Sequence, residues 1–144
     1  MKGFTLLEVL ISLTILTLVF LIAIPFSIQS YFRFIVNFES QKLIENLRLL
    51  QFMAMVQKND TSFGVYFLPQ KIIFFQGGSF EERDSRYDEE IQIPSFLKIS
   101  SSSKEIIFSK LEGEPKEPFF ISIEAGDQKR EIEGNSFGII DFKQ

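Results

Sequence analysis

The chain carries one carboxylate in a place where water is scarce. Glu8 lies among Leu6, Leu7, Val9, Leu10 and Ile11, and no side chain from Val9 to Phe32 is charged. Keeping such a group out of water costs about 2.5–3.5 kcal/mol at the centre of an inserted helix, and less near an end. An acid in this setting is a functional group by default and requires a cationic partner. Little else in the sequence offers chemistry. There is no His and no Cys, which removes the Ser-His relay, ordinary zinc sites, thiol catalysis and disulfides. The reading is that the chain is not an enzyme and needs no cofactor. The one acidic run, Glu81 to Glu90, is broken by Arg83 and Arg86. It lacks the residue order of a calcium loop, so it reads as a solvated, mobile loop or as a charged contact with another protein.

The elements around Glu8 follow from hydropathy. Val9 to Phe32 is a run of 24 uncharged residues, enough to cross a bilayer as a helix. Lys2 precedes the run, and the positive-inside rule then leaves the N-terminus in the cytoplasm and the remainder on the outer side. A cleaved secretory signal would explain Lys2 but not Glu8, the length of the run or the lack of a small-residue cleavage site. A plain membrane anchor leaves Glu8 without a partner. Beyond the run, Val36, Leu43, Leu47, Leu50 and Ala54 fall on one helical stripe. A single helix from Phe4 to Lys58 would be about 80 Å long at 1.5 Å per residue.

Gly3-Phe4-Thr5-Leu6-Leu7-Glu8-Val9-Leu10-Ile11 resembles the cleavage and methylation motif of type IV pilins and type II secretion pseudopilins. The resemblance covers about the first 30 residues and implies a set of roles. A prepilin peptidase would cut between Gly3 and Phe4, and the new amine of Phe4 would be methylated. Glu8 would neutralise that amine on a neighbouring subunit, a pairing far cheaper in an apolar medium than a lone charge. Pro25, which removes a backbone donor, would kink or loosen the helix; a helix end near the membrane face is the plainer account of it. The implied partners are other pilins or pseudopilins in a filament, the prepilin peptidase and an inner-membrane assembly platform. The implied location is the cytoplasmic membrane, single-pass, with assembly into a pseudopilus.

The 144 residues suit one globular unit, divided as a leader at 1–3, a membrane and filament-core helix at 4–30, an amphipathic helix at 31–58 and a β-rich domain at 59–144. About seven short strands are expected: Phe63–Leu68, Lys71–Gln76, Phe96–Ile99, Glu105–Ser109, Phe119–Glu124, Lys129–Glu133 and Phe137–Phe142. The fold class is α+β, a long helix on an antiparallel sheet domain, which resembles the H-type minor pseudopilins and the FimT-like minor pilins. Of 18 phenylalanines, Phe63, Phe67, Phe74, Phe96, Phe108, Phe120 and Phe137 are the core candidates. From Lys58 onward there are 11 basic and 16 acidic residues, net −5, which disfavours nucleic acid as a partner. The expected function is a minor pseudopilin subunit for protein export by type II secretion. The alternatives are a minor type IV pilin for adhesion, twitching or DNA uptake, a singly anchored membrane enzyme, or a secreted binding module.

Overall fold

The computed structural model describes residues 4–56 and 60–143. One helix, α1 (Leu6–Met55), runs 50 residues, about 75 Å at 1.5 Å per residue. Its helical run continues through position 25. Eight strands follow: β1 (Phe63–Leu68), β2 (Lys71–Gln76), β3 (Glu89–Gln92), β4 (Lys98–Ser101), β5 (Glu105–Phe108), β6 (Phe119–Ala125), β7 (Gln128–Gly134) and β8 (Ile140–Phe142). They form two antiparallel sheets of four strands, ordered β3-β2-β1-β5 and β4-β6-β7-β8.

The second half of α1 packs against both sheets. Val36, Leu43, Leu47, Leu50 and Ala54 are buried, as their spacing requires, and Ile44 joins them. Facing them are Val65, Phe74 and Phe108 from the first sheet and Phe119, Ile121, Ile132 and Ile140 from the second. Ser40 is the one buried polar side chain among the described residues, and its hydroxyl donates to the Val36 carbonyl at 2.6 Å, so no hydrogen-bonding group is stranded there. In β6 the alternation is plain: Phe119, Ile121, Ile123 and Ala125 point inward, and Phe120 and Glu124 point out.

Several expectations need correction. The alternation places Phe119 in the core at 1% exposure and leaves Phe120 half exposed. Phe137 is 80% exposed, because the Asn135 carboxamide accepts from the Phe137 and Ile139 N–H groups and holds that stretch in a turn, so the last strand begins only at Ile140. Phe96 is also exposed. The four serines Ser100–Ser103 begin in β4 and lead to β5, which belongs to the other sheet, so the chain crosses between layers there.

The acidic segment is not a free loop. It contains a 3-10 turn, Ser85–Tyr87, and leads into β3, a strand absent from the expected set. Ile73 and Phe75 of β2 are buried on the face opposite Ile72 and Phe74, and the segment folds over that outer face. The Phe80 ring stacks on Tyr66 at 3.9 Å and meets Phe75 edge-on at 5.7 Å. The Arg83 guanidinium lies 3.6 Å from the Phe80 ring centre and binds Asp88 at 2.8 Å. The Phe80 N–H donates to Glu105 of β5. Phe80→Ala removes both ring contacts and the cation–π contact. Trypsin cleavage at Arg83 and Arg86 of the natively folded chain should then accelerate about tenfold or more, since cleavage follows the opened population; an unchanged rate would show that Phe80 does not hold the segment down.

Candidate assembly segment and the adjoining end of the β-domain

Every large apolar side chain described between Leu6 and Ile28 is at least 50% exposed. An 18-residue stretch of α1 has mean hydropathy 2.7, which makes α1 the one described helix long and apolar enough to cross a membrane. Ser12, Thr14 and Thr17 each donate their hydroxyl to the carbonyl four residues back at 2.8 Å, so these polar groups need nothing from the surroundings.

Gly3 lies outside the described residues. Phe4 precedes the helix and is 82% exposed. Thr5 is the N-cap: its backbone is extended, and its Oγ1 accepts from the Glu8 N–H at 3.3 Å. Thr5 and Glu8 thus hold the first and fourth positions of a capping box. This cap is a role the sequence reading missed, though Thr-x-x-Glu before an apolar run announces it. Glu8 is exposed in the first turn, where the positive end of the helix dipole favours a carboxylate. Among the described residues its carboxylate forms no ion pair. Pro25 falls inside α1, well away from Glu8 along the helix.

The other end of the apolar stretch meets the β-domain. Tyr31 and Phe32 form an aromatic cluster with Phe96 from the loop before β4, with ring centres 6.0 to 6.5 Å apart. Phe32 also fits against Gly126 in the β6–β7 turn, where φ is +56° and an added Cβ would come within 3.0 Å of the ring; the position needs glycine on both counts. Arg130 donates to the Asn37 carboxamide at 2.9 Å. Arg33, Asn37, Lys129 and Arg130 line one cleft of about 230 Å³.

Beside that cleft, Lys129 bridges Glu124 at 3.3 Å and Glu131 at 2.9 Å, and Lys143 reaches Glu131 at 3.2 Å. The Ser122 hydroxyl, and then Lys129, hold the Glu124 carboxyl below its ordinary range. Lys129, and then Lys143, do the same for Glu131, while Glu131 and Glu124 raise the Lys129 ammonium. All these groups are exposed, so their contribution is screened and small.

Comparison with known proteins bears on the N-terminal segment and on the fold. A family model described as the prokaryotic N-terminal methylation motif matches residues 1–24. The fold is similar to that of the minor pseudopilin EpsH from the type II secretion system of Vibrio cholerae. One EpsH structure aligns with a TM-score of 0.58 at 16% identity, covering 75% of this chain and 95% of that one. A crystal structure of the same protein gives 0.59 at 13% identity, covering 77% and 97%. No curated protein matches. The N-terminal segment is thus similar to the prokaryotic methylation motif, and the fold is similar to that of EpsH.

Two predictions follow from these contacts. Thr5→Ala should weaken the first turn by about 1 kcal/mol, read as roughly fivefold faster amide exchange at Glu8 and Val9 in the micelle-bound chain, with Thr5→Ser close to wild type; equal exchange in all three would dismiss the cap. The lowered carboxylates contribute stability above the unfolded Glu value near 4.3, and that contribution is lost as pH falls through their lower folded values. The melting temperature should therefore drop more steeply below about pH 4.3 in wild type than in Lys129→Gln; parallel curves would show that Lys129 does not set the acid response.

Proposed function

We propose that the chain is a minor pseudopilin, a structural subunit of a type II secretion pseudopilus used in protein export. The observation that carries this reading is a helix start holding a cap, one exposed carboxylate and a naked apolar surface, on a β-domain with the fold of EpsH. The precursor sits in the cytoplasmic membrane as a single span, with Lys2 on the cytoplasmic side and the β-domain outside. A prepilin peptidase hydrolyses the Gly3–Phe4 bond; Gly3 gives the backbone freedom to enter the protease cleft. The new Phe4 amine is methylated. In the filament Glu8 meets the Phe4 amine of a neighbour, and the apolar helix surfaces cover one another. Pro25 is a soft point that eases extraction from the bilayer. The assembly platform supplies the mechanical work, since the chain has no phosphate-binding loop of its own.

Glu8 gives the pairing its sense. A carboxylate alone in an apolar medium costs several kcal/mol, and an opposed ammonium offsets most of it. One carboxylate and one amine per subunit would therefore favour a single axial register.

Co-expression with a prepilin peptidase should yield a chain that begins at N-methyl-Phe4, read by intact mass and N-terminal sequencing. Gly3→Leu should leave the precursor uncut. An N-terminus near residue 30 would instead mean an ordinary secretory signal and would end the filament reading. Glu8→Gln should be processed yet enter filaments at least tenfold less well than wild type, the loss expected when a buried charge is left unpaired; equal incorporation would dismiss the pairing role.

A further inference from the structure

The twenty residues from Val9 to Ile28 span about 30 Å at 1.5 Å per residue, the thickness of a bilayer's hydrocarbon core. Tyr31 lies three residues further, about 4.5 Å along the axis. That depth is the headgroup layer, where tyrosine is enriched. Phe96, on the β-domain, is 6.5 Å from Tyr31 between ring centres and so sits at the same level. Exposed aromatics occur elsewhere on the domain too, at Tyr87, Phe120 and Phe137, but Tyr31 and Phe96 adjoin the apolar span, where aromatic side chains act as interfacial anchors.

The charge at this end departs from the rest of the domain. Arg33, Lys98, Lys129, Arg130 and Lys143 gather around the β6–β7 end, facing Glu124, Asp127 and Glu131. Within Lys58 to the C-terminus, which is net −5 as a whole, the groups of this end are net +1, and Arg33 of α1 adds one more positive charge. Arg33 forms no ion pair among the described residues, and Arg130 is held toward α1 by Asn37. Cations next to an apolar span are the electrostatic signature of contact with anionic headgroups.

We propose that this end of the β-domain is a docking surface for anionic phospholipid headgroups, with Arg33, Lys129 and Arg130 facing phosphate and Tyr31 and Phe96 as interfacial anchors. The proposal rests on the reading that α1 spans the membrane. Docking fixes the β-domain against the bilayer before assembly, with the cleft between Arg33 and Lys129 as the phosphate seat. Extraction into a filament then exchanges headgroup contacts for contacts with neighbouring subunits.

The test uses the full chain in nanodiscs. The protein has no tryptophan, so Phe96→Trp places a single reporter at the proposed contact. Its fluorescence is quenched by lipids carrying a nitroxide on the headgroup. Quenching should be about twofold or more stronger with roughly 30% phosphatidylglycerol than with phosphatidylcholine alone. The increase should vanish at about 0.5 M salt and in the chain that also carries Arg33→Gln, Lys129→Gln and Arg130→Gln. A second variant, Arg33→Gln with Lys129→Gln, retains the Arg130 contact with Asn37 and should lose most of the increase while keeping the wild-type circular dichroism. Quenching blind to lipid charge in an inserted chain would overturn the docking alone. Quenching that rises with the number of subunits per disc would also overturn it, by assigning the cations to a neighbouring subunit. A chain released by alkaline extraction would overturn the membrane reading of α1 and the docking with it.

Discussion

Water cannot accommodate the surface that α1 presents between Leu6 and Ile28. Fifteen of the described large apolar side chains there are at least half exposed, and leaving them wet forfeits on the order of 20 kcal/mol of transfer free energy. That exceeds the whole stability of a typical domain. The β-domain offers the described side chains of this half of the helix nothing, since its contacts with α1 begin at Tyr31 and end near Met55. The fold is therefore complete only when something apolar surrounds the first half of the helix, and a bilayer or the matching surfaces of other copies can each do so. The separation of the helix into a dry half and a packed half dictates the rest of the architecture.

The β-domain grips its half of α1 along the full length. Gly126 and Arg130 meet Phe32 and Asn37 at one end. Farther along, Arg48 donates to the Ile140 carbonyl at 2.8 Å. Gln51 donates to Gly113 and Gly138, and the Leu111 N–H donates to the Ala54 carbonyl. Gly138 has φ +77°, and a Cβ there would strike the Gln51 amide, so the backbone approaches that closely only because the side chain is missing. Such tertiary contacts add to the helix's own hydrogen bonds along this half.

The parts legible in the sequence are those governed by a strong period or a dense motif. The stripe from Val36 to Ala54 appeared at its spacing of 7, 4, 3 and 4 because one helix face alone decides burial there. The β1–β2 hairpin was readable from Pro69-Gln70 between two apolar runs. The failures came where two sheets share a core. Phe119 and Phe120 are adjacent aromatics, and only the pairing of β6 with β7 says which faces in. β3 reads as polar because it is a short edge strand of four residues with no buried side chain, covered by no alternation that a sequence scan could detect. The acidic run looked solvated because its anchor, Phe80, lies just outside it. At the N-terminus the motif named Gly3, Phe4 and Glu8 by resemblance, while the cap at Thr5 needed only elementary helix chemistry.

Thr5, Ser12, Thr14 and Thr17 each settle their hydroxyl on the local backbone, so none of them favours one neighbour over another. Apolar side chains are nearly as indifferent, because burial is non-directional and scales with area. A bundle built from such helices alone could slide axially with little penalty. Glu8 differs in kind: no described group in its own chain meets its charge, and in the proposed filament a cation opposite it would fix its depth to within a hydrogen bond. The helix dipole and the Thr5 cap keep that carboxylate at the first turn and the turn itself wound. In the proposed filament, cohesion and register would therefore be carried by different residues, with the apolar surface supplying the first and one short polar segment the second.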